Sequence, residues 1–108
     1  MWWYYLVAIP AAVLLANGVP HFTQGVAGKR FPTAFSGGPG TEDTPLRNVL
    51  WGGGNLIAGG WLLSLIAPGL SDPLLVIELI VIWLAFSALL GTAFGDPARF
   101  GQRNRKAK

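Results

Sequence analysis

Residues 71–97 read SDPLLVIELIVIWLAFSALLGTAFGDP. Ser71-Asp72-Pro73 is a helix start, a capping carboxylate followed by proline at the first helical position. Gly95-Asp96-Pro97 is the matching stop. Between Leu74 and Phe94 only Glu78 carries a charge, over about the length a bilayer crossing requires. The stretch therefore predicts a transmembrane helix over about 73–95.

The pattern repeats upstream. Thr44-Pro45 is another cap-then-proline start, with Glu42 and Asp43 placing negative charge where the helix dipole favours it. Ala67-Pro68-Gly69 is the stop, so a second crossing is expected over about 45–67. The very short turn between the two predicts a tight antiparallel hairpin. A first crossing is expected over about 2–17, with Pro10 as a tolerated kink, Asn17-Gly18 as the C-cap and Pro20 preventing continuation. At 1.5 Å per residue that span is short, roughly 24 Å. The aromatic N-terminus Trp2-Trp3-Tyr4-Tyr5 suits a membrane interface and lacks the basic region of a cleaved signal peptide. The expected fold class is all-α: an integral membrane protein of three transmembrane helices, with a Gly/Pro-rich loop at 18–44 and a basic tail at 96–108.

Composition agrees. The 108 residues are 52% hydrophobic and only 12% charged, half the charge of an ordinary soluble domain. No Asp, Glu, Lys or Arg occurs in 1–28, 48–71 or 79–95. A chain this small cannot hide so much apolar surface in its own core, which excludes a soluble enzyme, a nucleic-acid-binding module and a disordered tail. Three crossings put the 18–44 loop and the tail on one side. That side then carries every basic residue: Lys29, Arg30, Arg47, Arg99, Arg103, Arg105, Lys106 and Lys108. The positive-inside rule makes it cytoplasmic and puts Met1 outside. The net charge of +3 is then an orientation signal and a contact for anionic lipid head groups.

Small residues crowd the second and third helices. Gly52, Asn55 and Gly59 share one face, Gly60 and Ser64 make a small-xxx-small step, and Ser87, Gly91 and Gly95 form a row at four-residue spacing. Such rows let backbones approach closely in lipid, either within the bundle or against another membrane subunit or a second copy. Asn55 is expected to make an interhelical hydrogen bond. Glu78 is the intramembrane polar candidate, either reaching interfacial water, contacting a partner, or handling a proton or cation.

The loop holds His21, Phe22, Phe31 and Phe35, more aromatic surface than a flexible tether needs, so it is expected to fold onto the membrane face. Lys29 and Arg30, after Gly28, are candidates for lipid or anion contact. His21, the sole histidine, could act as a general base or as one axial ligand to a pigment or haem, but is read first as a residue capping the end of the first helix. With no cysteine and no second histidine, no metal site and no cofactor are expected.

Asn17-Gly18-Val19-Pro20-His21-Phe22, Gly28-Lys29-Arg30-Phe31-Pro32-Thr33-Ala34-Phe35 and Asn48-Val49-Leu50-Trp51-Gly52 resemble a group of small bacterial inner-membrane proteins to which no activity is assigned. The group's Phe-Pro-Thr element continues with a second proline where this chain has Ala34. The resemblance covers the first half of the chain and implies location in a bacterial inner membrane.

The leading functional expectation is a non-enzymatic accessory or scaffolding subunit, packing against a larger membrane complex or itself. An oligomeric ion-handling protein using Glu78 is second, and a membrane enzyme with a cytoplasmic-face site near His21 is third.

Overall fold

A computed structural model describes residues 1–96. The stop at Pro97 and the basic tail from Arg99 onward lie outside the described residues. The described chain is an all-α three-helix bundle: α1 (Trp3–Val26), α2 (Pro45–Leu65) and α3 (Pro73–Gly95), with a short 3-10 helix at Ala67–Ser71 joining the last two. The two cap-then-proline starts behave as their chemistry requires. The Thr44 side chain accepts from the Arg47 amide, and the Asp72 carboxylate accepts from the Leu74 amide.

The end of α1 is a correction. The helix expected to stop at Asn17 continues through Gly18 and Pro20 to Val26, 24 residues in all. That is about 36 Å at 1.5 Å per residue, which removes the shortfall in span. Pro20 deletes only the rung to the Ala16 carbonyl. The true stop is Gly28, whose φ of +75° lets the Gly28 amide donate to the Gly25 carbonyl and the Lys29 amide to the Gln24 carbonyl. These two bonds make a Schellman cap.

Gly18 is a packing residue. A Cβ on it would lie 2.9 Å from the Gly52 carbonyl oxygen, and one on Gly52 would lie 2.3 Å from the Phe22 nitrogen. Gly25 meets Val49, and Gly59 meets Leu15, just as closely. Glycines seven apart on each helix thus form one seam along which α1 and α2 touch backbone to backbone.

The expected α2–α3 hairpin is also corrected. Their connection is short, yet α1 packs along both helices while α2 and α3 make no extensive contact with each other. The N-terminus of α1 sits at the 3-10 end, where the Tyr5 hydroxyl donates to Asp72. A small core of Ala8, Ile66 and Leu75 is surrounded there by Trp3, Tyr4, Tyr5, Val7, Leu63 and Leu79. The other end of α1 meets the start of α2 and, through Phe94, the end of α3. Two helices, α1 and α3, are long and apolar enough to cross a bilayer; only 6% of the most apolar stretch of α3 is buried.

Candidate functional site

At the end where α1 meets the start of α2, helical spacing lines up side chains that the sequence separates. Asn17 and His21 are one turn apart on α1. Asn48, Trp51 and Asn55 follow i, i+3, i+7 spacing on α2. The seam brings these two rows together. The Asn17 amide donates to Asn55 Oδ1 at 3.0 Å, and Asn55 Nδ2 donates to the Trp51 carbonyl at 2.7 Å. Asn48 is wholly buried, and His21 is 3% exposed.

Asn48 decides the state of the histidine. Its Nδ2 donates to two carbonyl oxygens, Phe31 at 2.7 Å and Thr44 at 3.1 Å, which fixes the orientation of the carboxamide. Its Oδ1 faces His21 Nδ1 at 3.0 Å and can only accept, so Nδ1 carries the hydrogen. In the neutral ring Nε2 is then the lone-pair nitrogen. Nε2 has no hydrogen-bond partner among the described residues. Phe31, Phe94 and Trp51 surround the ring edge-on, with centroids 5.3, 5.8 and 6.5 Å away.

The connection from Ala27 to Thr44 closes over this end. Phe31 and Asp43 exchange backbone hydrogen bonds, and the buried Thr33 hydroxyl donates to Asp43 Oδ2 at 2.6 Å. That bond, followed by the Thr44 amide and nearby Arg47 and Arg30, holds the Asp43 carboxyl below its ordinary range. Gly37, Gly38 and Gly40 turn the chain with positive φ. Beneath the loop lies a cavity of about 210 Å³ with His21, Asn17, Thr33, Trp51, Leu90 and Phe94 in its walls. A separate apolar groove of about 400 Å³ between α1 and α3 shares Leu90 and Phe94 with it and runs past Trp83, Ser87 and Gly91.

The residues expected from sequence fall in different places. Gly52, Asn55 and Gly59 lie in the α1–α2 seam. Gly60 faces open space, and the exposed Ser64 donates to the Trp61 carbonyl of its own helix. Gly91 and Gly95 face open space, with Ser87 and Gly91 bordering the groove. Glu78 is half-buried near the opposite end of the bundle from His21, and its Oε1 is buried without a partner. Lys29 and Arg30 are exposed beyond the Schellman cap and do not line the cavity. His21 lies inside α1, one turn and more before its end. Phe22 lies in α1 as well, and Phe35, although 69% exposed, packs edge-on against Trp51.

Asn17, Thr33, Asp43, Asn48, Trp51 and Phe94 belong to the site without having been singled out for it. The four-residue step from Asn17 to His21 and the seven-residue step from Asn48 to Asn55 were the available signals. The described residues contain no group of three or more His, Asp or Glu able to hold a metal ion. No family model, curated protein or solved structure matches the chain.

Proposed function

We propose that this is an integral membrane protein of three crossings that acts without catalysis, as an accessory or scaffolding subunit packing against a larger membrane complex or a second copy of itself. The observation that carries the reading is α3. Only Leu75 and Ala93 of that helix are buried, and Leu74, Ile77, Val81, Leu84 and Leu89 are each at least 47% exposed. Apolar surface of that extent calls for lipid or a partner. Along the same helix Gly91 and Gly95 leave room for another backbone.

The third crossing is supported by the seam. α2 is less apolar than its neighbours, but Asn48, Gly52, Asn55 and Gly59 are buried, whereas Leu50, Ile57, Trp61 and Leu65 are exposed. A helix bound to α1 backbone to backbone crosses wherever α1 crosses. On this reading the Lys29, Arg30 and Arg47 end is cytoplasmic, and the resemblance to bacterial inner-membrane proteins supplies the compartment.

Native mass measurement of the protein extracted gently from its membrane tests association. Wild type is expected above the mass of one chain, and Gly91→Leu is expected to shift it toward a single chain with unchanged insertion. A single-chain mass for both overturns the reading.

The buried, unpartnered Oε1 of Glu78 favours a second reading, ion handling through that carboxyl. Proton flux into reconstituted vesicles that disappears in Glu78→Gln would support it, and absence of flux in wild type would remove it for protons.

A further inference from the structure

We propose that the cavity under the 27–44 loop is a binding site for a small neutral phenol, a single hydroxyl-bearing ring with an apolar substituent, which donates its hydroxyl hydrogen to His21 Nε2. The inference is independent of the docking reading of α3.

The polar end of the site is already set. Asn48, held by two carbonyl groups, accepts the Nδ1 hydrogen bond of His21, which leaves Nε2 as the lone-pair acceptor of a residue that lines the cavity. A ligand that supplies O–H can donate to that nitrogen. A ligand offering only acceptors, such as a carboxylate or a ketone, would meet lone pair with lone pair at this nitrogen.

Charge and size narrow the class further. Among the described residues no Asp, Glu, Lys or Arg lines the cavity, so a charged ligand would lose its hydration without a counter-charge from them. The Trp51 and Phe94 rings offer edges and faces to a flat body. An apolar cavity of about 150 Å³ holds benzene, so 210 Å³ holds one substituted ring. A haem or chlorin macrocycle is larger than this cavity. The shared walls Leu90 and Phe94 give a ring substituent an apolar continuation into the α1–α3 groove.

Because His21 is the sole histidine, its ring nitrogens can be followed alone by ¹⁵N resonance in lipid nanodiscs. In the free protein Nε2 should show the shift of an unprotonated nitrogen and Nδ1 that of a protonated one. p-Cresol should move the Nε2 resonance saturably, while p-methylanisole, its methyl ether, should bind at least tenfold more weakly. Ala93 of α3 also lines the cavity, so Ala93→Leu, which fills it without adding or removing a hydrogen-bonding group, should abolish the p-cresol shift and keep the tautomer of the free protein. A protonated Nε2 in the free protein, equal responses to phenol and ether, no response to either, or a p-cresol shift that survives Ala93→Leu would each overturn the proposal.

Discussion

His21 Nδ1 and Asn48 Oδ1 lie 3.0 Å apart across the α1–α2 seam, joining residues 27 positions apart in the chain. The same Asn48 side chain ties down the Phe31 carbonyl of the loop and the Thr44 carbonyl at the start of its own helix. One carboxamide therefore couples both helices to the loop. Truncating it should cost more than a surface substitution would.

Asn48→Ala leaves the His21 Nδ1 hydrogen without its partner in a buried place, while the Phe31 carbonyl keeps only its bond from the Asp43 amide. One such orphaned group costs about 1–3 kcal/mol, so a loss of about 1–3 kcal/mol of stability is expected. Thermal unfolding in detergent, followed by helical circular dichroism, measures it. A midpoint equal to wild type would mean that the loop and α1 do not depend on this bond.

The glycines of α2 should divide by face. Gly52→Ala would place a methyl 2.3 Å from the Phe22 nitrogen and 2.7 Å from its Cα. Backbone cannot yield as a side-chain tip does, so the helices must separate, at about 1–3 kcal/mol or more. Gly60→Ala meets nothing within 4 Å and should be neutral or stabilise by up to ~1 kcal/mol through helix propensity. The same unfolding measurement compares the two, and equal effects would contradict the seam.

Acid should loosen the loop first. Asp43 is held below its ordinary value of 3.8, chiefly by the Thr33 hydroxyl. Its folded form is thus harder to protonate than its unfolded form, and the stabilisation is present above pH 3.8 and lost as pH falls through the lower folded value. Asp72 behaves alike at the other end, held down first by the Tyr5 hydroxyl and then by the Leu74 amide. Plotted against pH, the unfolding midpoint of Asp43→Asn should therefore show part of the wild-type acid slope, and Asp43→Asn with Tyr5→Phe should show less. An unchanged slope in Asp43→Asn would remove the carboxylate from the account.

The parts of this fold that were legible in sequence are those decided locally. Thr44-Pro45 and Asp72-Pro73 start helices because cap and proline act within one turn. Asn17-Gly18-Val19-Pro20 obeys the same local rules and reads as a stop, yet the helix runs through it. The reason is long-range: Gly18 is needed where Gly52 comes against it, and a helix end there would abandon the seam. The site was hidden for the same reason. His21, Asn48 and Phe94 meet only after the register between helices is set, and nothing in local spacing specifies that register. The α2–α3 hairpin failed likewise, because a short turn fixes connection and leaves open which helix packs on which.

Orientation is the last expected outcome. Lys29, Arg30 and Arg47 sit at the His21 end, and the remaining basic residues follow α3, which ends there too. With three crossings every basic residue is on that side, and the cost of carrying them outward selects an inward loop and tail. The chain has no cysteine, so single cysteines placed at positions 2 and 107 report without background. An impermeant thiol reagent added to intact cells should label position 2 at once and position 107 only after the membrane is opened. Labelling of both positions in intact cells would mean an even number of crossings, and α2 would then lie along the membrane surface or fold back within it. Labelling of position 107 alone would reverse the protein and put the His21 cavity on the outer face.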